Sequence, residues 1–288
     1  MKKRGSKVSE SCPPYPKIDT LFDRGSDFRV DEARVRRPEF LVPREWAVTE
    51  KIDGTNVRVS LERNLDEESG KMASQFGLPN EWVEENMDAW VARFYGRTEN
   101  SQMPTFLLDH LQRTFTLEKM QSLWRCKGSC TLCSGNGRLP IVSIKNDIEV
   151  TGEGSCPNFE PYPIVLYGEG YGARIQKGGG DYRADASFRL FDVLIGGTWL
   201  RYADVENVAL QLGIEPVPLL GIYAMDEVVE LVRHDFASAV SFEESVKSGG
   251  HARYAEGVVA FTDPPLFNSH GQRLMFKLKT KDFVAGKR

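Results

Sequence analysis

Several short signatures in this chain place reactive side chains where phosphate chemistry could use them. Lys51 lies in Glu50-Lys51-Ile52-Asp53-Gly54-Thr55-Asn56. A lysine amine attacks phosphorus only when neutral, and a free lysine holds its proton up to ~10.4, so burial or nearby cations must help. The glycine that follows lets the backbone approach a phosphate closely. Lys277 and Lys279 stand at i and i+2, which puts both on one face of a strand. Two cations so placed could hold one phosphate. Each feature also has an ordinary structural explanation. Asp53-Gly54 between β-forming runs is the strongest short hairpin signal. A lysine pair on a strand is commonly a solvated face. Glu169, in Gly168-Glu169-Gly170, could be a surface acid in a turn, and Phe191 a core aromatic. Asp192 beside Phe191 fits that core role less well, since an unpaired buried carboxylate is costly.

A second constellation is metallic. Cys126-x3-Cys130-x2-Cys133 is followed by Cys156 after 22 residues. Four thiolates can close a tetrahedral zinc site, and with every position taken by protein the site would be structural. Free thiols in a loop are the alternative. An odd total of five cysteines, four of them clustered, argues against a disulfide framework and for a reducing, cytoplasmic compartment. Cys12 reads as an incidental free thiol.

These residues need elements to position them. Trp46 to Leu61 reads as two strands around the Asp53-Gly54 turn. Val83, Met87, Trp90, Val91 and Phe94 recur with helical period and predict a helix over 82–94. Arg97, just past it, could cap its C-terminal end. Further helices are expected over Thr105–Phe115, after Thr116, and near Asp204 and Asp226. Ser241 with Glu244 predicts a capping box for another. Strands are expected in the alternating run of residues 141–150 and over Pro163–Glu169, Ser187–Ile195, Ala255–Phe261 and Arg273–Lys279. Strands and helices without regular βαβ alternation favour an α+β fold with antiparallel sheets.

The lysine signature resembles that of the covalent nucleotidyltransferases, the polynucleotide ligases and capping enzymes. Other motifs of that superfamily follow in order. Phe94-Tyr95-Gly96-Arg97-Thr98 resembles the motif whose arginine contacts nucleotide and phosphate. Leu166-Tyr167-Gly168-Glu169-Gly170 resembles the one whose glutamate binds the ribose. Phe188-Arg189-Leu190-Phe191-Asp192-Val193 resembles the one whose phenylalanine stacks on the purine. Ala255-Glu256-Gly257-Val258-Val259 resembles the one whose acid organises metal and phosphates. Phe276-Lys277-Leu278-Lys279 resembles the closing lysine pair. Motifs in order are far more specific than any one of them.

The resemblance leans toward phage-like ATP-dependent RNA ligases of the RNA ligase 2 type. That leaning rests on Tyr15-Pro16-Lys17-Ile18, on Glu50 before the lysine, and on the glycine-rich run 172–180. It implies a nucleotidyltransferase fold of two antiparallel sheets with flanking helices over residues 15–288. A Cys-rich insertion would occupy about 125–160 and a flexible tail 1–14, with no separate C-terminal OB-fold domain. It implies Lys51 as nucleophile, Lys277 and Lys279 as catalytic cations, and nucleotide contacts from Glu50, Asn56, Arg97, Glu169, Phe191, Asp192 and Glu256. ATP and Mg²⁺ or Mn²⁺, the metal indirectly through Glu256, are the implied cofactors. The implied substrate is RNA with 5′-phosphate and 3′-hydroxyl ends, joined through a lysyl-AMP and an adenylylated 5′ end. A DNA ligase, a capping guanylyltransferase, or a non-catalytic nucleic-acid-binding module with the same fold are the alternatives.

Composition narrows the classes further. The chain has 288 residues, 41% hydrophobic and 10% aromatic, which excludes a disordered chain. No apolar run approaches the ~18 residues of a membrane span. The basic start, MKKRGSKVSE, lacks the apolar stretch of a signal peptide. A net charge of −4 at first disfavours a nucleic-acid partner. The acidity is local, however. Residues 61–92 carry 8 acids and 2 bases, and residues 203–246 carry 9 acids and 1 base, while residues 270–288 carry 6 bases and 1 acid. Outside the two acidic segments the rest of the chain is net basic, as a phosphate-binding surface requires.

Overall fold

The structure, a computed structural model, describes residues 12–25, 30–63, 90–98, 101–125, 138–145, 148–156, 159–248 and 253–283; of 138–155 it describes the backbone alone. In chain order the strands are β1 (Asp19–Thr20), β2 (Phe22–Arg24), β3 (Val30–Val35), β4 (Trp46–Glu50), β5 (Thr55–Arg63), β6 (Trp90–Tyr95), β7 (Arg138–Lys145) and β8 (Ile148–Ser155). They continue as β9 (Ile164–Tyr171), β10 (Ser187–Ile195), β11 (Thr198–Trp199), β12 (Glu215–Pro216), β13 (Leu219–Tyr223), β14 (Gly257–Phe261) and β15 (Met275–Lys279). The helices are α1 (Thr105–Thr114), α2 (Leu117–Gln121), α3 (Tyr202–Leu212), α4 (Met225–Arg233) and α5 (Ala239–Ser248).

Two larger sheets carry the architecture. One has the order β1-β15-β14-β4-β13, the other β11-β10-β9-β5-β6, with β12 added against β10. The pairings are antiparallel apart from β1 with β15 and β12 with β10. The expected α+β class holds, with each sheet mixed at one place rather than purely antiparallel. β2 with β3 and β7 with β8 form separate two-stranded ribbons.

The faces of β5 explain the second sheet. Val57, Val59 and Leu61 are fully buried with Leu107 and Leu111 of α1 and Val205 of α3. The i, i+4 spacing of the two leucines gives α1 one apolar stripe. Truncating the fully buried Leu107 to alanine costs about 2–5 kcal/mol. The alternate β5 positions, Arg58, Ser60 and Glu62, are polar and equally buried. In the first sheet β4 is buried at all five positions, as a central strand must be when both faces are covered. Trp46 and Val48 pack there with Phe276 of β15 and Val228 and Val232 of α4.

Several sequence expectations change. Asp53-Gly54 does not close a hairpin: β4 pairs with β13 and β14, whereas β5 pairs with β6 and β9. The turn hands the chain from one sheet to the other, so Lys51 sits at their junction. Trp90–Tyr95 is a strand rather than the end of a helix, because its backbone completes the free edge of β5; Val83 and Met87 lie outside the described residues. Arg97 therefore follows a strand. The cap of α5 is Ser238, whose Oγ accepts from the Ser241 N–H at 2.9 Å. Ser241 lies inside the helix, and Glu244 serves other partners. Cys12 and Pro13, expected in a flexible tail, are seated instead: Cys12 is 2% exposed, and Arg58 and Tyr167 donate to the two carbonyls. Of the Cys-rich element, Cys156 is buried, and Cys126, Cys130 and Cys133 lie outside the described residues.

Candidate functional site

A cleft of about 420 Å³ opens at the junction of the two sheets. Lys51, Lys277, Lys279, Glu50, Asn56, Arg97, Glu169, Phe191 and Asp192 all line it. Glu256 adjoins it through its lysine partners.

The nucleophile candidate is fixed by backbone first. The Lys51 N–H donates to the Gly257 carbonyl at 2.8 Å, which ties the end of β4 to the start of β14. Gly257 has φ +154°, and a Cβ there would lie 2.0 Å from the Leu278 carbonyl oxygen. Only glycine fits, so Glu256 is delivered beside Lys51 by a backbone approach that no other residue permits. Lys51 Nζ donates to Glu256 Oε2 at 2.6 Å, and Lys279 Nζ reaches Glu256 Oε1 at 2.5 Å. Burial pushes the Glu256 carboxyl up, but Lys51 and Lys279 outweigh it and hold the carboxyl below its usual value.

Cations accumulate at this end. Burial lowers the pKa of Lys277, and Lys279, Lys51, Arg97 and Lys17 lower it further. Among the described residues, Lys17, Arg97 and Lys277 have no carboxylate partner. Cations crowded together in a partly buried cleft repel one another, and a bound polyanion removes that repulsion.

Glu169 faces the same space from β9, directly opposite Asn56 of β5. Gly54 lies against the Gly170 backbone so closely that a Cβ would fall 2.3 Å from the Gly170 oxygen. The lysine turn thus rests on the strand that carries Glu169. Burial lifts the Glu169 carboxyl to about 8 against the pull of Lys51. Asn56 lines the cleft, and its Oδ1 is buried with no hydrogen-bond partner among the described residues, an orphaned acceptor of the kind that needs explaining.

Phe191 and Asp192 are neighbours on a strand and should point to opposite faces. The register with β9 slips between Leu190 and Asp192, a bulge that re-aims side chains next to a site, and both line the cleft. Asp192 is held by protein. Tyr15 Oη donates to it at 2.8 Å, the Val193 N–H donates at 3.1 Å, and Arg273 pairs with it. The Glu50 carboxylate is held likewise, by Ser238 Oγ at 2.5 Å and the Val240 N–H at 3.1 Å, so it braces the start of α5. Burial pushes both carboxyls up despite these donors.

Other lining residues carried no assignment in the sequence. Tyr15 stands edge-on to Phe191 with ring centroids 4.9 Å apart. Arg273 closes the Asp192 pair, and Gln176 Nε2 donates to the Gly54 carbonyl at 3.0 Å. Lys17 adds a cation. A lone arginine carries no spacing signal, and Tyr15, Lys17 and Gln176 stand in runs that the sequence sets apart without giving these residues a role. Val217, Val259 and Met275 add apolar wall. The arrangement offers a cation-rich end for phosphates and an aromatic, apolar wall with one free acceptor for a base. Among the described residues no group of three or more His, Cys, Asp or Glu is placed to hold a metal ion.

Residues 44–279 match the family model described as RNA ligase. An archaeal ATP-dependent RNA ligase structure is similar at 16% identity and TM-score 0.44, over 94% of this chain and 49% of that one. A Naegleria gruberi RNA ligase with PPi is similar at 16% identity and TM-score 0.46, over 98% of this chain and 63% of that one. A mutant of the Naegleria gruberi enzyme with ATP and Mn is similar at 14% identity and TM-score 0.47, over 94% and 62%. The chain thus spans between about half and under two thirds of those structures' length. No curated protein sequence matches it.

Proposed function

The chain belongs to the RNA ligase family, and from that premise we propose that it seals RNA ends with ATP through a covalent lysyl-AMP on Lys51. The observation that carries this reading is Lys51 at 2.6 Å from Glu256, with Lys279 on the carboxylate's other oxygen. The pair holds the amine at the cation-lined end of the cleft.

The residues have distinct tasks. Phe191 and the apolar wall hold the base, and Asn56 Oδ1 takes a donor from the nucleotide. Arg97, Lys17 and Lys277 draw the triphosphate toward Lys51. For attack, Lys51 leaves Glu256 and gives up a proton to solvent water in the open cleft. The Nζ–Pα bond forms as the bond from Pα to the bridging oxygen breaks and pyrophosphate departs. Lys277 and Lys279 face the phosphoryl oxygens, where charge builds, and need no reorganisation as it does. AMP then passes to an RNA 5′-phosphate, and a 3′-hydroxyl displaces it. Such chemistry is mostly positioning and electrostatics.

Magnesium or manganese fits this site as an ion held mainly by substrate phosphates. Such an ion needs at most one or two protein carboxylates; Glu256, once Lys51 leaves it, would help hold the ion indirectly, and the ion would neutralise phosphate charge. A structural zinc on Cys126, Cys130, Cys133 and Cys156 rests on their spacing; release of about one equivalent of zinc on thiol modification tests it. Among the described residues no helix is long and apolar enough to cross a membrane; a cytoplasmic location rests on cysteine usage.

Sealing assays on 5′-labelled nicks test the substrate. The reading expects joining of nicked RNA in the presence of ATP and Mg²⁺, and less or none of nicked DNA. Joining of DNA alone, or activity with GTP alone, contradicts it.

A further inference from the structure

Arg58 belongs to no motif, yet it is the most deeply placed cation near the cleft. It lies on β5 two residues beyond Asn56, on the same face, and is 0% exposed. A guanidinium has a high desolvation cost unless it is paired, and among the described residues no carboxylate pairs with Arg58. Its donors go to backbone instead. Nε donates to the Gly96 carbonyl at 3.0 Å and Nη1 to the Cys12 carbonyl at 2.8 Å. The guanidinium lies 5.1 Å from the centroid of the Tyr95 ring. Nη2 is buried without a partner among the described residues.

Both carbonyls open segments that carry cleft residues. Gly96 precedes Arg97, so fixing its carbonyl fixes the peptide plane from which Arg97 leaves β6. Cys12 leads within a few residues to Tyr15 and Lys17. Neither 96–98 nor 12–18 belongs to a helix or strand, so no ladder holds them in place. Tyr167 Oη adds one bond to the Pro13 carbonyl at 2.8 Å. The planar fork of an arginine can bridge two carbonyls in fixed geometry, which a lysine ammonium on a flexible stem does not reproduce.

We propose that Arg58 is a positioning residue: its buried guanidinium fastens the Gly96 and Cys12 carbonyls together and so sets Arg97 and Lys17 against the nucleotide phosphates. The proposal rests on the nucleotidyl-transfer reading above. It explains why β5 retains a costly buried charge directly behind the cleft. Sequence rules broken without a local gain mark functional positions.

The test is a double-mutant cycle on lysine adenylation with labelled ATP. Arg58→Lys and Arg58→Gln are each made alone and in an Arg97→Ala background. Either single variant should keep a cooperative melt near that of wild type and raise KM for ATP by about 10- to 100-fold, the scale of a misplaced binding group. In the Arg97→Ala background, which already lacks that contact, the same change should add less than about threefold, because coupled residues are not additive. Full additivity of Arg58 and Arg97 effects overturns the proposal, as does an unchanged KM in a folded Arg58 variant. Failure of both Arg58 variants to fold also overturns it, since a global role would then replace the local one. Absence of any adenylate on the wild-type protein would instead defeat the underlying functional reading, so the two failures are separable.

Discussion

The Lys51 ammonium and the Glu256 carboxylate lie 2.6 Å apart although 205 positions separate them in the chain. The contact spans the place where β4 gives way to β5, and it is framed by the Lys51 N–H bond to Gly257. Glu256 holds Lys279 as well, so one carboxylate gathers the nucleophile candidate and a second lysine of the cleft. A paired ammonium is not a nucleophile. The same contact that places Lys51 must therefore be surrendered before attack.

The acid behaviour of this cluster follows from Glu256. Lys51 and Lys279 hold its carboxyl below the ordinary 4.5, against the effect of burial. The stability its charge contributes is full above that ordinary value and is lost as pH falls through the lower folded one. Thermal melts from pH 7 to pH 3 should show wild type losing stability relative to Glu256→Gln, with the change confined to the region below about pH 4.5. Parallel curves down to pH 3 would contradict the pairing.

Glu169 has the opposite sign. Its folded carboxyl is raised from 4.5 to about 8 by burial, so between those values the folded protein keeps a proton that the unfolded chain has lost. Stability then falls as pH rises through that interval. Glu169→Gln, which cannot ionise, should match wild type most closely near pH 4, gain on it progressively up to about pH 8, and keep a constant lead above that. Melts in the absence of nucleotide measure this, and a difference independent of pH would rule out the raised carboxyl.

The bulge at Phe191 makes a prediction about the base. Stacking of an aromatic on a base is worth about 1–3 kcal/mol, so Phe191→Ala should raise KM for ATP by roughly 5- to 150-fold. Adenylation at saturating ATP should change far less. A fall in kcat with unchanged KM would place Phe191 away from the base.

Lys277→Ala should reduce adenylation by about 10²–10³-fold, the cost of one preorganised charge-stabilising donor. Single-turnover labelling at saturating ATP measures the chemical step. A defect in KM alone would make Lys277 a binding residue only.

Much of the fold was readable where one local rule governed. Ser187–Ile195 was predicted with both its bounds, because β-forming residues fill it between turn signals. The helix expected over Thr105–Phe115 forms over Thr105–Thr114, one residue shorter. The failures share one cause, the choice of partner by distant chain. Trp90, Val91 and Phe94 fit a helical period, but β5 had an edge to fill. Asp53-Gly54 is a genuine turn whose flanking strands enter different sheets, which no local signal reveals. Lys51, Glu169, Lys277 and Lys279, singled out by their motifs, line the cleft, and Glu256 pairs with two of these lysines. Phe191 and Asp192 face the cleft together only through a bulge. Asp192 and Glu50, expected at the nucleotide, have carboxylates committed to Tyr15, Arg273, Ser238 and Val240. Arg58 and Arg273 have no motif and became visible only through the carbonyls and the carboxylate they hold.

The central claim is the lysyl adenylate. Wild-type protein and Lys51→Ala are incubated with Mg²⁺ and ATP labelled at the α-phosphate, denatured, and resolved on a gel, with GTP in parallel. The account predicts an acid-labile label on the wild-type chain from ATP, mapped to the peptide that contains Lys51 and absent from Lys51→Ala. No label on wild type from either nucleotide, or a label that survives in Lys51→Ala, would contradict it.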